Sequence, residues 1–198
     1  MITYHVKQND SLEKVVLVND QNEPIGLMDK LLAHQHGTLH RAFSVFVFSL
    51  KNELLLQKRA STKYHSPNQW ANSCCGHPRE NESTHAAASR RLAEEMGISG
   101  ALNPGTEFIY RADLTNNLVE HEYVQFFTST IAIQPIPNPF EVSDYLWVTH
   151  DQLVKNQHGL DFAPWFQVYL KDYQQTISAI FKTAEQSILT SSLEMASP

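Results

Sequence analysis

The segment Asn72-Ser73-Cys74-Cys75-Gly76-His77-Pro78 sets two thiols and an imidazole around one glycine, shortly ahead of Arg90-Arg91-Leu92-Ala93-Glu94-Glu95-Met96-Gly97-Ile98, where cations alternate with carboxylates. A cysteine carries protons or attacks carbon when its thiolate is accessible, and a helix N-terminus, a metal or a nearby cation arranges that. This turn offers all three. Further along, Glu120-His121-Glu122 places two carboxylates on one side of a strand and the imidazole on the other. Glutamates are depleted in strands and repel on one face, a repulsion that a bound cation removes; the alternative is an exposed sheet face with two solvated carboxylates. His34, His36 and His40 lie close together before the first long apolar run. Two of these imidazoles with His77, Glu120 and Glu122 make an N3O2 set suited to Mn, Zn, Fe or an octahedral Mg-like site.

Charge and composition narrow the function classes. The 198 residues carry a net charge of −6 with only 15 Lys and Arg. No basic face for nucleic acid is expected. Met1-Ile2-Thr3-Tyr4-His5-Val6-Lys7 has no leader-like apolar run, and no stretch of about 18 apolar residues occurs. The expectation is a soluble, cytoplasmic protein without a membrane partner; oligomeric state is not legible. Cys74 and Cys75 are the only cysteines. A bridge between adjacent residues is strained, so they serve chemistry or packing.

The elements that must position these groups read as mixed helix and sheet. Val15-Val16-Leu17-Val18 and Ile25-Gly26-Leu27-Met28 flank a turn cluster and predict a hairpin, followed by a short helix over 30–34 capped by Asp29. Apolar runs over 42–50 and 54–59 predict a central hairpin. A polar loop, 61–72, leads into the cysteine turn, and a helix over 83–96 stops at Gly97. Strands are expected over 107–114, 118–128 and 145–148, and helices over 150–156 and 164–182. Residues 1–182 form one domain, and the Ser-rich stretch 183–198 is expected to fray as a flexible tail.

Gly76, Glu82, Arg90, Leu92, Glu94, Glu95, Gly97 and Ile98 reproduce the spacing G-x5-E-x7-R-E-U-x-E-E-x-G-U, the Nudix pattern, at nearly every fixed position. Arg91 and Glu95 share one helix face, as do Arg90 and Glu94, and such a face can hold a divalent cation together with a diphosphate. The departure is Arg91, where Nudix hydrolases carry a glutamate that helps bind catalytic magnesium. A surface helix laced with two ion pairs above a buried face of Ala86, Ala87, Ala88 and Leu92 is the simpler alternative.

Leu39-His40-Arg41-Ala42-Phe43-Ser44, Gln69-Trp70-Ala71-Asn72-Ser73-Cys74-Cys75-Gly76-His77-Pro78, the variant Nudix helix, Tyr110-Arg111-Ala112, Glu120-His121-Glu122 and Ala163-Pro164-Trp165 together resemble type I isopentenyl-diphosphate delta-isomerase, from about Val15 to Phe181. The resemblance implies a Nudix-type α/β/α sandwich with a mixed central sheet, and an enzyme that interconverts isopentenyl and dimethylallyl diphosphate through a tertiary carbocation. It implies that Cys75 and Glu122 are acid/base groups on opposite faces of the substrate, with Tyr110 and Trp165 flanking the carbon skeleton. It implies a tightly held divalent metal, Mn2+, Zn2+ or Mg2+, on His34, His40, His77, Glu120 and Glu122, with His36 competing for the first place. Glu95 matches the residue that helps hold a Mg2+ bridging to the diphosphate, and Lys30, Arg59, Lys63 and Arg91 match the diphosphate-binding cations. Cys74 should point away from Cys75, and the proton roles of Cys75 and Glu122 are interchangeable. The competing readings are a Nudix pyrophosphohydrolase acting on a nucleotide or isoprenoid diphosphate, and a non-catalytic metal-binding or redox-sensing module.

Overall fold

The structure is a computed structural model that describes residues 13–196. Residues 1–12, including the N-terminal run read above for a leader, and 197–198 lie outside the described residues. The expected first hairpin is β1 (Lys14–Val18) and β2 (Pro24–Asp29). The helix that follows, α1 (Lys30–His36), is two residues longer than the spacing predicts, and Asp29 stands at its N-cap without a side-chain capping bond. Gly37 ends it at φ 61. A side chain there would meet the Arg111 guanidinium at 2.8 Å, so the left-handed stop requires glycine twice over.

The centre of the fold is β3 (His40–Ser49), followed by β4 (Leu54–Arg59), β5 (Trp70–Ala71) and β6 (Cys74–Gly76). The expected hairpin between β3 and β4 holds at a single pair, Phe48↔Leu54. Further along the same edge of β3, β6 takes over through Ser44↔Cys75 and Val45↔Cys74. The cysteines therefore stand on a strand, and the helix that follows begins eight residues after Gly76, at α2 (Thr84–Met96). Gly76 is held to glycine by a close approach, since a Cβ would sit 3.0 Å from the Phe43 ring.

The chain then forms β7 (Asn103–Asp113) and β8 (Val119–Ile131), joined by a 3-10 turn at Thr115–Asn117 in which Asn116 has φ 63. β8 runs parallel to β3 from His40↔Glu122 to Ser49↔Ile131, which makes the nine-stranded sheet mixed. Last come β9 (Val142–Val148), α3 (His150–Val154), α4 (Pro164–Asp172) and α5 (Gln174–Ala196).

Because β3 is covered on both sides it reads as one apolar run. Ala42, Phe46 and Phe48 face one way and pack with Trp165, Phe166, Tyr169, Ile177 and Phe181 of α4 and α5. Phe43, Val45 and Val47 face the other way and pack with Ala87, Ala88, Leu92 and Met96 of α2. Burying a side chain such as Leu92 contributes roughly 1.5–3 kcal/mol, so α2 is fixed mainly by this stripe. Ser83 caps it by accepting from the Ala86 amide, and Gly97 closes it at φ 65. Of the predicted alanine face, Ala86 is exposed. Cys74 belongs to the α2 layer and Cys75 to the α4/α5 layer, which is the alternation expected of adjacent strand residues.

One predicted element is divided. The helix expected over 164–182 breaks at Tyr173, whose ring stacks on Phe108 at 3.7 Å and whose hydroxyl donates to the Ile109 carbonyl at 2.9 Å. That docking turns the chain between α4 and α5. The stretch expected to fray continues α5 as helix, with Ala184 buried. Among the described residues no helix is long and apolar enough to cross a membrane.

Candidate active site

Four neighbouring strands converge on one cleft. The pairing His40↔Glu122 joins β3 to β8, Tyr110↔Glu122 joins β7 to β8, and Ser44↔Cys75 joins β3 to β6. Strand alternation sends Glu120 and Glu122 to one face, both buried, while the His121 ring turns the other way and its Nδ1 donates to the Gly37 carbonyl at 3.0 Å. That bond ties the end of α1 to β8 and so places His34 beside Glu122. The solvated-carboxylate alternative is excluded by the burial.

His34, His40, His77 and Glu122 each offer a ligand atom within 4.8 Å of the others. The hydrogen-bond geometry of this group calls for a cation. His40 Nδ1 lies 2.7 Å from the Thr38 carbonyl, which can only accept, so its Nε2 is a bare lone pair. That lone pair lies 3.2 Å from His77 Nε2 and 3.6 Å from Glu122 Oε1, and His77 Nε2 lies 2.9 Å from the same oxygen. His34 Nε2 and His77 Nδ1 are buried without a hydrogen-bond partner. A neutral imidazole cluster with orphaned nitrogens around a carboxylate is the donor set of a divalent metal with mixed N/O ligation, and the residues fit such an ion. His36 is exposed and outside the group, so of the two only His34 stands with the others. Glu120 is likewise outside it: its Oε2 lies 3.0 Å from the Tyr110 hydroxyl and its Oε1 4.0 Å from His65 Nε2.

The electrostatics follow from burial. Desolvation holds His34 at about 2, with His77 and His40 adding to the effect. Desolvation also lowers His77 against the pull of Glu122, and lowers His65 further, with Arg59 contributing. For Glu122 burial would raise the value, but the His40 and His77 imidazoles against it carry it well below the usual carboxylate range. Glu120 goes the other way, raised by burial and by the Glu122 charge. Tyr110, between them, is raised by burial and by both glutamates, so it keeps its proton while donating to Glu122 Oε2 at 2.6 Å. The two carboxyl groups are thus pushed in opposite directions around one phenol.

These shifts predict an acid-sensitive fold once metal is removed. In chelator-treated protein His34 and His77 titrate below their ordinary 6.5 when folded. Below pH 6.5 the unfolded chain binds protons that the folded chain refuses, so stability falls with pH by up to about 1.4 kcal/mol per unit per histidine. The urea midpoint should drop steadily from pH 7 to pH 5; a flat profile contradicts the assignment.

Cys75 reaches the cleft, but desolvation pushes its thiol up to about 12, against hydrogen bonds with Ser44 and Asn72 that lower it. The sulfur donates to Asn72 Oδ1 at 3.0 Å and lies 3.5 Å from Ser44 Oγ, which in turn bonds Tyr169 Oη at 3.0 Å. On a strand with no adjacent helix terminus, the group rests as a thiol that holds its proton.

The cleft, about 580 Å³, is also lined by Lys30, Arg59, Lys63, Arg91, Glu95 and Trp165. Three of these cations face carboxylates: Lys30 lies 3.2 Å from Glu13, Lys63 2.8 Å from Glu141, and Arg91 2.6 Å from Glu95 and 3.4 Å from Glu141. Arg91 is raised, because Glu95 and Glu141 outweigh the burial that opposes its charge. Gln57 donates to the remaining Glu95 oxygen at 3.0 Å. Arg59 donates to the Ser66 and His65 carbonyls at 3.2 and 3.0 Å and lies 5.1 Å from the centre of the Trp165 ring. The Trp165 indole nitrogen is buried without a hydrogen-bond partner.

Of the candidate site residues named from the sequence, His34 and His40 stand against His77 and Glu122, His36 and Cys74 lie elsewhere, and the others line this cleft. Glu13, Tyr64, His65, Glu141, Ser44 and Tyr169 were not singled out. Glu141 follows a proline-punctuated stretch and reads as a surface charge, and Ser44 and Tyr169 belong to ordinary core patterns. Only Tyr64-His65, next to Lys63, carries a local signal.

The profile of the NUDIX domain family matches residues 38–168. A Photorhabdus laumondii protein named isopentenyl-diphosphate Delta-isomerase 2 is 51% identical over 168 residues, which cover 85% of this chain and 92% of that one. An Aliivibrio fischeri protein named isopentenyl-diphosphate Delta-isomerase is 45% identical over 188 residues, covering 90% and 96% respectively. Among solved structures, a Deinococcus radiodurans protein aligns with a TM-score of 0.63 at 20% identity over 77% of this chain and 93% of its own. A Methanosarcina mazei MutT protein aligns with a TM-score of 0.55 at 18% identity over 70% and 94%. These two likenesses show the fold alone.

Proposed function

The chain belongs to the isopentenyl-diphosphate Delta-isomerases, built on a NUDIX domain, and on that premise we propose how its own residues carry the reaction. It interconverts isopentenyl diphosphate and dimethylallyl diphosphate in isoprenoid biosynthesis. The terminal alkene carbon gains a proton, a tertiary carbocation forms at the branch carbon, and a proton leaves the neighbouring carbon to give the internal double bond. Two acid/base groups are therefore needed. Because the reaction is reversible, the group that acts as acid in one direction acts as base in the other.

We assign these roles to Cys75 and to Glu122 with Tyr110. The observation that carries the assignment is the 2.6 Å bond from the Tyr110 hydroxyl to Glu122 in the cleft that Cys75 also lines. A retained phenolic proton against an ionised carboxylate can pass a proton to or from carbon, and a positioned group of this kind contributes typically about 10²–10⁴-fold. Cys75 holds the complementary proton on its thiol, and the Ser44 hydroxyl can donate to the sulfur whenever that proton is away. Trp165 offers π density to the carbocation, an interaction worth roughly 0.5–2 kcal/mol and strongest in a dry site.

Lys30, Lys63, Arg59 and Arg91 hold the diphosphate, the two lysines exchanging their carboxylate partners for phosphate oxygens. Glu95 is assigned to a Mg2+ that travels with the diphosphate. His34, His40, His77 and Glu122 hold the tight divalent metal, Mn2+, Zn2+ or Mg2+, with Glu120 beside them. When bound, that ion orients Glu122 and keeps it ionised. Arg91 in the position of the hydrolytic glutamate neutralises Glu95 and supports binding a diphosphate without cleaving it. A reducing cytoplasm suits the two free thiols. Protein mixed with isopentenyl diphosphate and Mg2+ should form an acid-labile allylic diphosphate, and EDTA dialysis should abolish the product until metal is restored. Undiminished turnover after complete metal removal contradicts the metal assignment.

A further inference from the structure

Tyr64 stands between the two ends of the cleft and belongs to no role assigned above. Its hydroxyl lies 2.8 Å from His34 Nδ1, and its ring lies 6.2 Å from the His34 ring at an interplanar angle of 29°. Lys30 Nζ lies 5.6 Å from the centre of the same ring. Lys30 and His34 are one helical turn apart on α1, so one tyrosine spans that face. Arg59 secures the loop that carries Tyr64 through the adjoining carbonyls of His65 and Ser66.

The chemistry of imidazole gives this contact a consequence. A ring nitrogen that coordinates a metal must be bare, and in a neutral ring the other nitrogen then carries the hydrogen. His40 has this settled by the Thr38 carbonyl, which only accepts. For His34 the partner is a hydroxyl, which can donate or accept. If Tyr64 donated, His34 would carry its proton on Nε2, the buried nitrogen without a hydrogen-bond partner, and would lose it as a ligand.

The geometry points to Tyr64 as the positioning residue of the metal site: it accepts from His34 Nδ1–H, fixes that tautomer and presents the Nε2 lone pair to the ion. This rests on the functional reading above, in which His34 is a ligand. Tyr64 acts through His34.

The test is Zn2+ affinity measured by chelator competition in the parent and in Tyr64→Phe, which keeps the ring over His34 and under Lys30. The variant should bind Zn2+ about 10–100-fold more weakly. Its KM for isopentenyl diphosphate should be unchanged, and kcat should recover at saturating metal. Long-range ¹H–¹⁵N spectra of Zn2+-loaded parent should show His34 protonated at Nδ1. Equal Zn2+ affinity in the two proteins overturns the inference, as does a His34 proton on Nε2 in the loaded parent, a result that needs no variant. Parent protein that binds no Zn2+ at the histidine cluster overturns the metal assignment itself, which keeps the two failures apart.

Discussion

Cys75→Ala lowers the isomerase kcat by roughly 10²–10⁴-fold, the contribution of a positioned acid/base group, while KM stays within a few-fold. The asymmetry follows from position. Cys75 lies on β6 against the α4/α5 layer and lines the cleft, whereas the diphosphate is held by Lys30, Lys63, Arg59 and Arg91. Removing the thiol leaves those cations and the histidine cluster intact. The network Tyr169–Ser44–Cys75–Asn72 loses one member, and Asn72 keeps its bonds to the Val45 and Cys74 carbonyls at 3.1 Å. The strand should stay in register. Steady-state kinetics and Zn2+ binding on the same preparation check this; a variant within threefold of the parent kcat removes Cys75 from the chemistry. Cys74→Ala is the internal comparison, because that side chain is buried in the α2 layer on the other face.

Glu122→Gln should be the more damaging change, since one carboxylate serves two purposes. It accepts from the Tyr110 hydroxyl at 2.6 Å and lies 2.9 and 3.6 Å from the His77 and His40 nitrogens. The amide keeps the volume but withdraws the charge that offsets the metal, and its NH2 group faces bare imidazole nitrogens. Loss of a ligand in such a set exceeds the about 10–100-fold cost of losing an outer-shell partner, so Zn2+ affinity should fall by more than about 100-fold. Turnover should become undetectable even with excess metal. Glu120→Gln should cost less, because that carboxyl is raised by burial and by its neighbour and is outside the four-ligand group. Competition titration and product assays on both variants decide it; equal metal affinity in Glu122→Gln and the parent contradicts the assignment.

Much of this site was legible in the chain because its chemistry is written in types that local patterns rarely use. Paired glutamates in a strand, a Cys-Gly-His-Pro segment and a helix with fixed glycine, glutamate and arginine spacing each violate the plain amphipathic expectation, and each marks a cleft residue. The helix over 84–96 was legible for the same reason, with Ser83 and Gly97 as its stops. Long-range pairing was not. That β3 meets β8 in parallel, and that β6 displaces β4 along its edge, depends on contacts between residues 29 to 82 positions apart, and periodicity within β3 is the same in either arrangement. The break at Tyr173 is a tertiary effect, a ring docked on Phe108, within a segment whose local pattern continues as helix. Burial raises the Cys75 thiol and the Glu120 carboxyl, and imidazoles from distant parts of the chain lower Glu122, which no spacing encodes. Tyr64 and Glu141 were missed because each acts through a partner elsewhere in the chain.

The central claim is that this cleft moves a double bond and leaves the diphosphate whole. It is tested most directly by ¹H and ³¹P NMR of the protein with isopentenyl diphosphate and Mg2+ in D2O, beside Cys75→Ala. The account predicts loss of the terminal-alkene signal, deuterium in the product methyl, an unchanged diphosphate and turnover by the variant slowed by roughly 10²–10⁴-fold. Release of phosphate with the alkene intact would contradict it and make the cleft that of a hydrolase.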